Sequence, residues 1–295
     1  MRINPFLVLT LTLSIAACGS KSDDDDNDSG FEDNTDADGT GSDGGTDDGG
    51  TDGGADDGGD DSSDPMTAAL YGSIVNENGA AMTAADVKLC TALQCKTAEP
   101  DGEGNFEFVD IEGATFALEV KGEASDSATI MTFIELPSET VRTIETPIVV
   151  PTFKSTNALG STTTIEVDGG LNISANSNYE LPFGTEVEES LKGVKMDADT
   201  AGLPLDGIEG EVVGLWYLGT WDTKIDPGWS FTIDGLTVSE MEDVAAGDSL
   251  TVLTGDYFGV SWVNEGTATV GEGGEVTSDA GTGISNLSTL ILIKE

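Results

Sequence analysis

Beyond Pro65 the sequence consists of short runs in which apolar and polar residues alternate, separated by Gly, Asn and Asp. A period of two is typical of strands with one buried face, and those three residue types are typical of turns. We find no convincing amphipathic helix, apart from a short helix predicted at 186–196. The pattern predicts an all-β fold with two tandem β-sandwich domains, at 66–152 and 155–295, after a disordered acidic tether.

The first domain is predicted to hold about seven short strands, which is typical of an antiparallel sandwich. The predicted strands span 68–75, 86–90, 95–98, 105–109, 115–121, 128–135 and 142–150.

Turn and aromatic residues of this domain follow a recognisable order. They are Gly72-Ser73-Ile74-Val75, Asn78-Gly79, Ala85-Asp86-Val87-Lys88-Leu89, Asp101-Gly102-x-Gly104-Asn105-Phe106-x-Phe108, Ile111, Gly113 and Phe116-x-Leu118-x-Val120. The pattern resembles the carboxypeptidase regulatory-like domain, a small transthyretin-like β-sandwich found beside exported enzymes and receptors. That family is not itself catalytic and no peptidase domain accompanies it here, so the resemblance implies a fold and not hydrolysis. The family's usual Pro-Gly-x-Tyr is replaced by Glu112-Gly113-Ala114-Thr115-Phe116.

The second domain is predicted to follow a linker at 155–162. Its predicted strands span 163–167, 171–174, 211–218, 229–233, 249–253, 258–264, 267–270 and 287–294. Residues 212–218 are apolar without alternation, which is typical of a strand buried on both faces, and 291–293 predict a terminal core strand. The segments Gly169-Gly170-Leu171, Leu181-Pro182-Phe183-Gly184-Thr185 and Gly247-Asp248-Ser249-Leu250 resemble the β-sandwich module shared by netrin receptors and ankyrins.

The first residues of the chain have the pattern of an export signal. Arg2 precedes an apolar stretch at 6–17, which is too short to span a bilayer. It ends Ile15-Ala16-Ala17-Cys18, which resembles the bacterial lipobox. The resemblance implies a signal peptide at 1–17 and acylation of Cys18, so that the membrane becomes a partner through acyl chains; a plain secretory signal is the alternative. Gly19 in place of Asp favours the outer membrane.

Residues 18–65 form the predicted tether. The stretch from 21 to 65 contains 18 acidic residues and one basic residue, and it buries too little apolar surface to fold. The acidic run at 22–26 looks like the export signals of surface-exposed lipoproteins, although a periplasmic orientation is the alternative. Asn34-x-Asp36-x-Asp38-Gly39 has the spacing of a calcium loop, but position 12 is Gly45, so we prefer loose counter-ion condensation and predict no metal site.

Cys90 and Cys95 flank four residues, which predicts a disulfide across a hairpin tip in an oxidising compartment. Closing so short a loop contributes about 2 kcal/mol in the chain-entropy model. A redox-active pair is the alternative, but the CxxxxC spacing is not that of redox motifs.

All four Trp residues fall in the second domain. They predict either a hydrophobic core, which we prefer, or a platform on which a sugar ring stacks. As a platform, Trp221 and Trp262 are the best candidates because each borders turn residues. Asp222 and Asp256 would then bond the sugar hydroxyls.

The chain has 295 residues, no His, 56 acidic and 11 basic residues, and a formal charge of −45. The absence of His excludes a Ser-His-Asp triad and His-ligated metals, and the charge disfavours nucleic acid as a partner. We expect no cofactor and no catalysis. The predicted function is a lipid-anchored outer-membrane or surface protein whose β-sandwiches serve protein interaction, adhesion or envelope structure. Glycan binding is the alternative, and a carboxylate-based hydrolase is a remote one.

Overall fold

The computed structural model describes residues 67–160, 163–182, 189–239, 241 and 243–295. The predicted signal peptide, Cys18, the acidic tether and the calcium-like fragment lie outside the described residues. Among the described residues, no helix is long and apolar enough to cross a membrane.

The expectation of an all-β fold is confirmed, since nearly all regular structure in the described ranges is strand. The elements are β1 (Ala68–Asn76), β2 (Asp86–Cys90), β3 (Cys95–Ala98), β4 (Asn105–Ile111), β5 (Ala114–Lys121), β6 (Thr129–Leu136), β7 (Val141–Thr143), β8 (Ile148–Val150), β9 (Ser155–Ala158), β10 (Thr163–Val167), β11 (Leu171–Ala175), β12 (Tyr179–Glu180), β13 (Ser190–Met196), β14 (Glu211–Gly219), β15 (Thr223–Trp229), β16 (Phe231–Ile233), the helical turn α1 (Gly235–Val238), β17 (Ser249–Asp256), β18 (Ser261–Val270), β19 (Val276–Ser278), β20 (Ile284–Leu287) and β21 (Thr289–Lys294).

The first eight strands form two facing sheets. One sheet has the order β3-β2-β5-β6, and the other has β4-β1-β7 with β8 also paired to β1. Alternation explains the core between them, because Phe106 and Phe108 of β4 are buried while Glu107 is exposed. Gly72 of β1 is required at this point, since a Cβ there would lie 2.6 Å from Cζ of Phe106.

The remaining strands form a ten-stranded sheet and a smaller sheet. The large sheet has the order β10-β11-β16-β19-β18-β17-β21-β14-β13-β9, and the small one has β12-β15-β20. The two end strands of the large sheet, β9 and β10, lie close together. A hydrogen bond joins them, in which Asn157 Nδ2 donates to the Glu166 carbonyl at 3.1 Å. The large sheet therefore curves around its own core.

Strands β14 and β21 are buried on both faces, as the unbroken apolar runs at 212–218 and 291–293 predict. Leu215 and Ile291 belong to the core shared with the first eight strands, which we call core A. Trp216 and Leu292, their neighbours in sequence, belong to the core of the second set of strands, which we call core B. A single layer of sheet therefore separates two hydrophobic cores.

Two sequence expectations are wrong. The segment 186–196, expected to be helical, forms strand β13 over Ser190–Met196, where Leu191 and Val194 are buried and the backbone pairs with β14. Tertiary pairing overrides local propensity there. The expected linker at 155–162 contains β9, a polar strand at the sheet edge that pairs with β13. An edge strand without a buried face leaves no apolar alternation to detect.

We expect Ile291→Ala and Leu292→Ala each to lower the free energy of unfolding by about 2–5 kcal/mol, because each leaves a cavity in a different core. Leu93→Ala is the matched control, since Leu93 is 96% exposed, and should change stability by less than about 0.5 kcal/mol. Urea unfolding followed by tryptophan fluorescence measures all three. If either strand variant matched the control, the two-sided burial would be contradicted.

Candidate functional site

Two of the four Trp residues are core residues. Trp216 and Trp229 are 0% and 1% exposed. Their indole Nε1 atoms donate to the Asp168 carbonyl and to Asn176 Oδ1, each at 3.0 Å. Both side chains thus have a buried ring and a satisfied donor, as packing aromatics should.

The other two Trp residues, the predicted platform pair, are half-buried and cover the outer face of β2, β5 and β6. Trp262 meets Phe133 edge-to-face with ring centroids 4.9 Å apart, and its Nε1 donates to the Asp206 carbonyl at 3.1 Å. Trp221 meets Tyr257 edge-to-face at 5.1 Å. We call this region, where the second set of strands packs on the first, the junction.

The junction contains a glycine, Gly255, on the second set of strands. Gly255 of β17 lies opposite Trp262 in the β17–β18 pairing. A Cβ on Gly255 would lie 2.5 Å from Cε of Met131, the flexible end of that side chain, so the methionine would have to shift. The small residue lets the methionine and the indole share the same surface.

The expected disulfide is confirmed between Cys90 and Cys95. It lies at the junction, where the Tyr257 hydroxyl is 2.9 Å from Sγ of Cys90 and 3.0 Å from Sγ of Cys95. Burial raises the pKa of Tyr257, so the phenol is neutral at physiological pH and can donate to sulfur.

Both predicted carboxylates lie on one side of Tyr257 around Lys224. The Lys224 Nζ is 3.0 Å from Asp256 Oδ1 and 3.4 Å from Asp222 Oδ1. Burial raises the pKa of Asp222, and the neighbouring ammonium only partly offsets this. Lys224 also lies 5.8 Å from the ring centroid of Phe258, which is 63% exposed.

A second charged group on the outer face of β2 and β5 was not predicted. Lys88 Nζ lies 2.8 Å from Asp86 Oδ2 and 3.3 Å from Glu119 Oε1. Burial raises the pKa of Glu119, a residue only 5% exposed. The sequence did contain a signal for this group, since charged residues stand at positions 88 and 119 within otherwise apolar strands. Such residues indicate a strand face that is buried against other protein groups but is not part of the hydrophobic core.

The free edge of β6 is covered by polar side chains from the second set of strands. Thr289 Oγ1 donates to the Met131 carbonyl at 2.6 Å. Asp206 accepts from the Glu135 amide at 2.8 Å and from Arg142, whose Nη2 lies 2.8 Å from Oδ1. An edge strand that would otherwise expose its backbone groups is thereby satisfied.

The aromatic residues of the junction pack against the outer face of β2, β5 and β6. Two surface cavities, of about 640 and 340 Å³, are lined by other residues. The described ranges contain no group of three Asp, Glu or Cys residues placed to hold a metal ion. The buried Asp222 and Glu119 are thus carboxyl groups with raised pKa values that face protein groups.

No protein-family model matches the chain, and no curated protein matches it significantly. Among solved structures, the chain is similar to a protein from Bacteroides uniformis that is provisionally described as carbohydrate binding, at 11% identity with a TM-score of 0.23, covering 77% of this chain and 79% of the other. A DUF3823 family protein from Bacteroides ovatus matches at 10% identity and a TM-score of 0.23, covering 77% and 81%. The major pilin subunit of Bacillus cereus matches at 10% identity and a TM-score of 0.23, covering 75% and 85%. Scores this low carry no argument about function, and the regulatory-like resemblance stays a prediction.

We expect Asp206→Asn to lower the free energy of unfolding at pH 7 by about 1–3 kcal/mol, because it weakens charge-assisted hydrogen bonds. Burial raises the pKa of Asp206, but Arg142 and the Glu135 amide outweigh burial and hold it below the ordinary value of 3.8. A lowered folded-state pKa means that the stabilisation is complete above pH 3.8 and is lost as the pH falls through the folded-state value.

Urea unfolding at several pH values measures the effect. The variant and the parent should therefore converge in acid, whereas Glu112→Gln, at an exposed position, should match the parent throughout. A difference between Asp206→Asn and parent that persists unchanged to low pH would contradict the assignment.

Proposed function

We propose that this chain is a lipid-anchored, non-catalytic protein of the bacterial outer membrane whose β-sandwiches are displayed at the cell surface for interaction with another envelope protein. The observation that carries the proposal is the combination of two parts of the chain. One is the lipobox-like sequence that ends at Cys18, and the other is an all-β region that follows a long acidic stretch. Acyl chains would hold one end, and the acidic stretch would keep the folded part clear of the lipid.

The junction supports a role in display. Trp221, Tyr257 and Trp262 are used to pack one set of strands against the other. Aromatic rings packed in this way stiffen the contact between the two sandwiches. Few aromatic rings are then left to bind a ligand. The outer membrane is supported by Gly19, and surface display is supported by the acidic run at 22–26.

Non-catalytic behaviour is supported by composition and by the site. Without His, acid–base chemistry would fall to carboxylates, Lys or Tyr. The buried carboxylates of the junction, Asp222 and Glu119, neighbour Lys224 and Lys88. These ion pairs explain the two buried carboxylates as structural groups of the junction.

The anchor is tested by Cys18→Ala. We expect this variant to move from the membrane fraction to soluble fractions and to lose its incorporation of radiolabelled palmitate, because no acyl chain remains. Ser20→Ala is the matched control and should stay in the membrane fraction. Unchanged fractionation of Cys18→Ala would reject the anchor.

The orientation is tested by protease treatment of intact cells. Surface display predicts that the folded part is released, whereas a periplasmic protein used as a marker stays intact. Full protection of this chain until the outer membrane is permeabilised would reject surface display while leaving the anchor in place.

Glycan binding is the second candidate, and the exposed ring of Phe258 favours it. A ring that is 63% exposed, with Lys224 and Asp256 beside it, combines a stacking face with hydroxyl-binding groups. If this is the function, a surface polysaccharide should change the fluorescence of the nearby Trp221, and Phe258→Ala should weaken binding about tenfold. Leu93→Ala is the matched control. Fluorescence that stays constant across a polysaccharide panel would count against this candidate.

A further inference from the structure

Strand β14 is paired unequally on its two sides. Its partner β21 runs along it from Glu211 to Tyr217. The pairing with β13 on the other side ends where Met196 meets Leu215, because the chain then turns away at Asp197. In the part of the chain that the structure describes, no residue pairs with 211–214 on that side. The pairing with β21 shifts register between Val212 and Gly214, so this stretch is an open strand edge with one irregular position.

The larger surface cavity, of about 640 Å³, occupies the position that a continuation of β13 would take. The end of β13 and the start of β14 line it. One wall includes Met196 and Leu205, which pack on core A. The opposite wall includes Val213 and Met241, which pack on core B. The result is a slot in the plane of the sheet whose lining combines apolar residues on both sides with charged residues.

The open edge has the length of a short strand. The unpaired stretch, 211–214, is long enough for about four residues of an added strand, or roughly 13 Å. Val212 and Val213 are half-buried, so side chains of an added strand would find apolar surface on both faces of the sheet. Addition of a strand to an open edge draws affinity from main-chain hydrogen bonds and specificity from alternate side chains.

Charge selects among possible occupants. The exposed residues Asp197, Asp199 and Glu211 line the slot, against one basic lining residue, Lys195. A second copy of this chain or its own acidic stretch at 21–65 would bring further negative charge, since the whole chain carries −45. A segment with an apolar centre and Lys or Arg on either side of it would instead be attracted.

We propose that this slot, which we call the β14 groove, binds an extended, basic segment of a partner protein by strand addition to residues 211–214. The proposal deepens the proposed function by naming the site and the chemistry of the partner, and rests on that function for its biological setting. The occupant places apolar residues between the slot walls and basic residues at the two ends of that stretch, where Asp199 and Glu211 are exposed.

The test uses the full chain, purified in detergent, and a fluorescently labelled short peptide in which four valines are flanked on each side by lysines. Fluorescence anisotropy at physiological salt should show saturable binding, whereas the same peptide with glutamate in place of lysine should not bind. Two further copies of the basic peptide are N-methylated at alternate amides, one copy in each register. Strand addition predicts that methylation in one register abolishes binding and that methylation in the other preserves it, since only alternate amides face the edge.

Two double variants locate the site. Asp199→Lys with Glu211→Lys should weaken binding about tenfold or more. Glu103→Lys with Glu107→Lys makes the same change of charge at exposed positions outside the groove and should bind as the parent does. Hydrogen exchange of the 211–214 amides should slow when the peptide is bound, and circular dichroism confirms that each variant is folded.

Several results would overturn the proposal. Equal binding of both N-methylated registers would mean that charge alone attracts the peptide. Equal loss in the two double variants would mean the same. A concentration-dependent dimer that disappears in Glu211→Lys would assign the groove to a second copy of the chain. None of these results bears on membrane fractionation, so the anchor and the groove fail separately.

Discussion

The two-sided burial of β14 and β21 is the constraint on which the rest of the structure depends. A strand with one apolar face needs one partner layer, but these two strands carry apolar side chains on both faces, such as Leu215 and Trp216. If either face were in contact with water, a whole row of apolar side chains would be exposed. That exposure would cost a free energy of about 25 cal/mol for each Å² of apolar surface. The first eight strands cover one face, and the small sheet with the curved ends of the large sheet covers the other. The two sandwiches thus share β14 and β21, and each sandwich covers one face of these two strands.

The junction covers a further strand face, the outer face of β5 and β6. Once β5 and β6 pack between two layers, their outer face is covered too, which explains why Ala117 and Phe133 are buried there. That face also holds Glu119 and Lys88, whose burial costs free energy unless they are paired. Lys88 pairs with Glu119, and the neutral phenol of Tyr257 lies beside the disulfide, so these polar groups have partners. Such a face is less tolerant of substitution than an apolar one.

Much of the fold could be predicted because alternation is a local signal. The strands β2 and β10 begin and end where the sequence pattern places them, and the disulfide follows from a spacing of five residues. The predictions fail where the deciding partner is distant or where no face is buried, as in β13 and β9. The site shows the same division. Sequence reasoning singled out Asp222 and Asp256 as polar neighbours of aromatics, but their shared partner Lys224 emerges only from the fold. The contact between Tyr257 and Cys90 joins residues 167 positions apart, which no local pattern can reveal.

Open strand edges are a hazard for any β protein at high concentration, because edges of neighbouring molecules can pair. This chain treats its edges in two ways. The edge of β6 is covered from within by Thr289 and Asp206. The edge of β14 at 211–214 is left open, and carboxylates stand around it. Like charges on every copy then discourage pairing between copies, while the backbone groups stay available to a segment of opposite charge. The strong acidity of the chain is therefore consistent with an open groove. The negative charge repels other copies of the chain, and it attracts a strand of a partner protein that carries positive charge.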